Sequence, residues 1–389
     1  MLHNQSFFRT PGPTPIPQQV THAMNQPMIG HRSQSFAQLF KGTSERLKPI
    51  FGTEQPVYTL TSSGTGALEA AVLNVTKPGD EIISVVAGAF GDRFASICEH
   101  HQLVTHRIEV PWGESVDQQE LISTLHAHPN AKAVVMTYNE TSTGVMQPIQ
   151  ELTKIVHDHS YALALVDGVS CIGAVPAQMD EWGIDILVTG SQKAMMLPPG
   201  LAFISASERA WDVIEQVDSS SFYFDLKAYH KQYENGMTPY TPAVSLIQGL
   251  KEVCTMLEEE TLEKVYKRHV VMKDMTRAAF RALGLPLLTS DQDASPTVTA
   301  VKATEGLKVD EFRNHVRDRY GLSLAGGQKK LKGEIFRVGH MGYCSPIDVL
   351  TTLSIIEMGL VDCGISIELG AGVKAAQEVY INDISNSSK

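Results

Sequence analysis

The chain has no long hydrophobic run. No apolar stretch approaches the ~18–20 residues of a membrane-spanning helix, so no membrane partner is expected. The opening segment, MLHNQSFFRTPGPTPIP, lacks the charged-then-apolar order of a secretion signal, which points to a cytoplasmic protein. No lysine- or arginine-rich block is present and the net charge is −11, so nucleic acid is not an expected partner. The short basic stretches KGTSERLK and QKKLKGE read as solvated faces. Cysteine is scarce: five residues, an odd number, widely spaced and never as C-x-x-C. That argues against a disulfide framework and against a zinc site, and no metal is expected. The glycine fingerprints G-x-x-x-x-G-K-[ST] and G-x-G-x-x-G are also missing, which removes the nucleotide-binding dehydrogenases.

What remains is ample material for a large core. Of 389 residues, 43% are hydrophobic and 19% charged, and the length suits two domains or one large domain with a smaller partner. Pro11, Pro13, Pro15 and Pro17 make residues 1–20 an extended arm, because proline fixes φ and donates no backbone hydrogen bond. A helix is expected over 33–51. Then short apolar strands alternate with amphipathic helices: strands at 57–61, 81–86, 104–110, 133–138, 162–166, 184–189 and 201–205, with helices at 65–75, 92–101, 117–126 and 149–159 between them. This alternation marks an α/β fold with a mostly parallel sheet covered on both faces. A long charged helix over 243–283, broken in its middle, leads into a smaller α+β region with strands at 297–302 and 334–338 and helices at 309–320 and 345–358. The expected domains are a large one over 21–260 and a small one over 261–389. A short helix over 373–380 precedes a fraying tail.

In open parallel sheets, ligands sit beyond the carboxyl ends of the strands. Three such strand ends carry chemistry. Ser62-Ser63-Gly64-Thr65-Gly66 closes one strand and opens a helix, whose free N–H groups and dipole make an anion seat. The same segment also reads as an ordinary tight turn. Asp167 ends the apolar run ALALVD, where a carboxylate needs a partner such as a protonated pyridine nitrogen; in D-G it also reads as a turn former. Lys193 follows DILVTGSQ, a poor setting for a solvated lysine, and burial would free its amine to attack an aldehyde. Anion seat, ring-nitrogen acid and imine-forming lysine are three attachment points for pyridoxal 5'-phosphate.

The segments SSGTGALEAAVLNV, AFGDR, NETSTGVMQP, LVDGVSCIGAVP and DILVTGSQKAMMLPPG resemble the class V aminotransferases of fold type I, in the alanine–glyoxylate, serine–glyoxylate and serine–pyruvate branch. The resemblance runs from PGPTPIP to FRVGHMG. It implies that Lys193 forms the Schiff base with pyridoxal phosphate and moves the substrate proton. It implies further that Asp167 pairs with the ring nitrogen, that Val169 and Phe90 pack on the ring, and that Thr141 reaches its 3-oxygen side. Ser63, Gly64, Thr65 and Gln192 would hold the phosphate, with Thr238 and Thr241 contributed by the second subunit of a homodimer that shares its active sites. Arg337 would clamp the substrate carboxylate, which its planar fork suits; it also reads as a structural ion pair. Gly30 and His31, with Arg32, would line the pocket or sit at the surface. The implied reaction is ping-pong transamination from alanine or serine to a 2-oxo acid such as glyoxylate or pyruvate. Other reactions of the same fold stay open: ureidoglycine–glyoxylate transamination, a desulfurase or lyase in which Cys344 is the one cysteine to consider, and a catalytically idle partner subunit.

Overall fold

The computed structural model describes residues 6–387. Its centre is a seven-stranded sheet with strand order Val57–Leu60, Ala202–Ala206, Ile186–Gly190, Leu163–Asp167, Ala133–Thr137, Glu81–Val86, Val104–Glu109. Neighbours pair in parallel except Ala202–Ala206, which runs antiparallel to both strands beside it. The central strands are buried along their whole length, as expected of a sheet covered on both faces. Successive side chains point to opposite faces, so one sheet feeds two apolar layers. Val134, Met136, Ala164 and Val166 join one layer; Ala133, Val135, Leu163 and Leu165 join the other.

A second body gathers around the antiparallel strands Val298–Lys302, Ile335–Gly339 and Ala325–Gly326. Its core includes Phe280, Phe312, Phe336, Leu353 and Ile356. The expected break in the long helix falls at Thr261, held at φ 70° between Val244–Glu260 and Leu262–Ala282. Its positive φ breaks the helical repeat, and its carbonyl accepts the Val265 N–H at 3.0 Å to open the second helix.

The N-terminal arm differs from its expected form. Phe7–Phe8 pairs in parallel with Leu322–Ser323 of the second body, and Gln18–Met24 is already helical. Pro17 stands at the cap of that helix, where a missing N–H costs nothing, so proline does not extend the arm to residue 20. Residues 1–5 of the arm lie outside the described residues. The C-terminal helix is also longer than expected, Ala371–Ser387, so the chain does not fray after Tyr380. Its packing on Leu262–Ala282, with Ala376 buried in the second core, carries it past the expected stop. Residues 388–389 lie outside the described residues. Among the described residues, no helix is long and apolar enough to cross a membrane.

Candidate active site

The carboxyl ends of the parallel strands converge on one cavity. Ser63, Gly64, Thr65, Phe90, Asn139, Thr141, Asp167, Val169, Gln192 and Lys193 line it. Each arrives by the strand-end rule. Ser63 caps the helix Gly64–Leu73, its hydroxyl accepting the Gly66 N–H, and the positive end of that helix faces the cavity. A Cβ at Gly64 would lie 2.7 Å from the Val169 side chain, so only glycine lets this helix start so close to the loop after Asp167.

Asp167 is buried, and its Oδ1 accepts the Val169 N–H at 2.9 Å. Among the described residues Oδ2 has no hydrogen-bond partner. Burial pushes the carboxyl up to about 6, aided by the nearby Glu140 carboxylate and opposed by the Val169 N–H and by Lys193. Lys193 is displaced the other way. Burial brings its ammonium down to about 8, with the Arg337 guanidinium adding to the effect and Asp167 opposing it. A substantial fraction of free amine is therefore present at neutral to mildly alkaline pH, which is what a nucleophilic lysine needs. Two buried amides on the cavity wall, Asn139 and Gln192, have carbonyl oxygens without a partner. Buried polar atoms are almost always paired, so these mark a place where a polar ligand completes the wall.

The arm closes over the lysine. Lys193 Nζ donates to the Pro11 carbonyl at 2.6 Å, and Thr14 bonds the backbone of Gln192 and Lys193. Gly12, at φ 98°, passes so near that a Cβ there would lie 2.4 Å from Lys193 Cδ. The second body adds Arg337. It sits in the strand Ile335–Gly339 between Ala300 and Ala325, whose small side chains leave it room. Its Nη1 donates to the Thr141 carbonyl at 2.8 Å and its Nε to the Gly326 carbonyl at 2.9 Å. Burial lowers Arg337 to about 10, yet leaves it a cation at neutral pH. Arg337, Thr141, Phe90 and Lys193 border one wider cavity that continues outward past the arm.

Sequence reasoning missed two contributors. Glu140 is fully buried and accepts hydrogen bonds from the N–H groups of Phe90, Gly91 and Ser142 and from the Ser142 hydroxyl. It thereby fixes the start of the helix Ala89–His100 and the position of Phe90. Burial raises its carboxyl, and these four donors oppose the rise. Glu140 lies inside the NETSTG strand end, a signal that was visible. The second is the arm itself, whose approach to Lys193 leaves no local signal beyond its glycine. Four predicted residues lie elsewhere in this chain. Gly30 is exposed and His31 half-buried, outside the cavity. Thr238 donates to the Tyr240 carbonyl, with Arg32 donating to the Thr238 and Pro239 carbonyls; Thr241 is exposed. Cys344 is buried, and burial pushes its thiol up to about 11, unlike a reactive cysteine.

A family model described as aminotransferase class V matches residues 6–339. The chain belongs to the class V aminotransferases. It is an enzyme of the amino-transferring kind, on the fold type I scaffold that the geometry shows. A protein described as the small subunit of a soluble hydrogenase from Synechococcus sp. is 39% identical over 97% of this chain and 99% of its own. An L-aspartate–glyoxylate aminotransferase of Paracoccus denitrificans is 37% identical over 97% of both chains. A serine–glyoxylate aminotransferase of Methylorubrum extorquens is 37% identical over 94% of both. Among solved structures, ureidoglycine–glyoxylate aminotransferase from Bacillus subtilis superposes with a TM-score of 0.91, at 30% identity over 98% of this chain and 99% of that one.

Proposed function

We propose that this class V aminotransferase binds pyridoxal 5'-phosphate and transfers the amino group of a small L-amino acid, serine or alanine, to glyoxylate. The observation that carries the reading is Lys193 and Asp167 in one buried cavity, their ionisations displaced toward free amine and shared proton. The residues fit the cofactor. The N-terminus of Gly64–Leu73 with Ser63 and Thr65 suits a phosphate, the unpartnered amide of Gln192 can turn its NH2 toward the same anion, and Phe90 and Val169 offer the ring its two faces.

When bound, pyridoxal phosphate supplies an electrophilic carbon for the donor's nitrogen and a ring that accepts the electrons of the broken Cα–H bond. Asp167 would hold a proton at the ring nitrogen, for which its open Oδ2 suits it. Lys193 would hold the cofactor through its amine and would take and return the substrate α-proton. Arg337 receives the substrate carboxylate and turns the Cα–H toward Lys193, an alignment in which ~1 Å of error costs about 100-fold. The arm covers the amine and limits water. The three aminotransferases named above differ in donor but share glyoxylate in their names, which supports that acceptor here. Thr238 and Thr241 lie away from the chain's own cavity, which suits the reading that they complete a second subunit's site in a homodimer. The chain carries a net charge of −11, and the cytoplasm remains the proposed compartment.

The test is the visible absorption of the purified holoenzyme before and after L-serine or L-alanine, followed by turnover with glyoxylate. A band that shifts with the donor and is missing in Lys193→Ala supports the reading. Normal turnover by Lys193→Ala defeats it.

A further inference from the structure

At the opposite, amino-terminal edge of the same sheet, three side chains that the proposed reaction does not use come together. Glu81 opens its strand and His106 lies in the neighbouring edge strand, with Glu81 paired to Val104 and Ile83 to His106. Residues two apart on a strand share a face, so the pairing sets Glu81 and His106 on the same side of the sheet. His128 arrives from the connection that follows Gln118–Ala127, pinned by the Lys132 N–H donating to the Glu81 carbonyl at 2.7 Å. His106 Nε2 lies 2.9 Å and His128 Nδ1 3.8 Å from Glu81 Oε2, and the three ligand atoms all fall within 4.8 Å of one another. The two imidazoles face each other at 3.4 Å.

From this cluster we infer a binding site for a divalent transition-metal ion of the Zn2+ class, held by Glu81, His106 and His128. Two imidazoles and a carboxylate are the ligand set of open zinc and related sites, which leave a fourth position to water. Ligands about 2.1 Å from a tetrahedral metal stand roughly 3.4 Å apart, and the separations of 2.9 and 3.8 Å from Glu81 Oε2 bracket that value. Small ring rotations out of the stack bring both nitrogens onto one ion. The exposures of Glu81, His106 and His128 are 34%, 23% and 31%, open enough for entry and closed enough to restrict the side chains. The strand Glu81–Val86 separates this site from the cavity side by about 17 Å, at ~3.3 Å per residue. The ion therefore ties the edge strand to its crossover connection and takes no part in amino transfer.

The holoenzyme, freed of metal by chelator and dialysis, is titrated with Zn2+ by calorimetry and with Co2+ by its d–d absorption. One ion per chain is expected, with a Co2+ spectrum of nitrogen and oxygen ligands and a raised melting temperature. In His106→Ala plus His128→Ala the affinity falls by more than the ~10–100-fold lost when outer-shell partners of metals are removed, while aminotransferase activity stays unchanged. Glu81→Gln, which keeps the shape, weakens binding with no change in fold. Full-affinity binding in the histidine double variant, a thiolate-type Co2+ spectrum, or no binding by the parent protein overturns the assignment. A signal lost instead in His126→Ala plus His159→Ala, another close histidine pair, does the same.

Discussion

Two buried aspartates sit at opposite ends of neighbouring strands, and they have opposite fates. Asp185 immediately precedes Ile186–Gly190; its carboxylate accepts the Ala164 N–H, the Ser207 hydroxyl and the Arg209 guanidinium at 2.8–2.9 Å. Asp167 ends Leu163–Asp167, accepts one backbone N–H and carries a raised ionisation. Burial is alike, 2% against 5% exposed. What separates the structural carboxylate from the one proposed to react is therefore unfilled acceptor capacity: the fold fills the acceptors of Asp185 and leaves Oδ2 of Asp167 open.

The comparison can be broken. Its largest expected effect lies on the reactive side, where Lys193→Ala lowers turnover by at least ~10^4-fold, as removal of other covalent nucleophiles does. Steady-state transamination kinetics read this directly. Asp185→Ala leaves the buried Ala164 N–H without its acceptor and takes one partner each from Ser207 and the partly exposed Arg209, a loss of about 1–3 kcal/mol. Chemical denaturation should show that loss while turnover of the folded protein holds; a fall in kcat with no loss of stability erases the distinction between the two aspartates.

Asp167→Asn sharpens it. Turnover drops by about 100–1000-fold, the scale of a lost preorganised electrostatic group. The cofactor-free protein, however, gains stability. A carboxyl raised in the folded state binds more protons there than when unfolded, so stability falls as pH rises from about 4 through about 6 and stays lower above. The neutral amide escapes this loss of about 2–3 kcal/mol at neutral pH. Melting curves of parent and variant at pH 4 and pH 7.5 should converge at the acid end and separate at the other.

Arg337→Lys keeps a charge but loses the fork that spans the Thr141 and Gly326 carbonyls. We expect KM for donor and acceptor to rise by about 10-fold, more than kcat falls. The smallest effect concerns cofactor uptake. Since the Lys193 amine titrates near 8, capture of added pyridoxal phosphate by cofactor-free protein should accelerate as pH rises through that value. In Asp167→Asn the midpoint moves lower, because a negative charge that favours the ammonium is gone. Stopped-flow absorbance across pH 6–10 measures both; an unmoved midpoint denies the two residues their electrostatic contact.

The catalytic edge was legible because its residues are tied to local signals. A strand is read from its apolar run, its carboxyl end from the turn that follows, and Ser63, Asp167 and Lys193 stand at such ends. Val169 and Gln192, beside them in the chain, were named only through the resemblance to a family. Arg337 stands in a strand of the second body, and its place was legible only through resemblance to a family. Glu140 lay within a flagged segment but looked like any polar turn residue, since nothing local reveals that three backbone N–H groups will aim at it.

By itself the sequence determined the α/β alternation, the mostly parallel sheet, the edge proposed for the chemistry and the lysine and aspartate proposed to carry it. These follow from hydrophobic period, strand length and turn composition, which act over neighbours in the chain. Only the tertiary structure decided how residues far apart meet. It laid Pro11 and Gly12 over Lys193, set Arg337 against Thr141, left Asp167 half-satisfied while saturating Asp185, and drew Glu81, His106 and His128 into one cluster. Such encounters depend on strand order and the docking of two bodies, and long-range packing leaves no periodic mark on the chain that a reader could find beforehand.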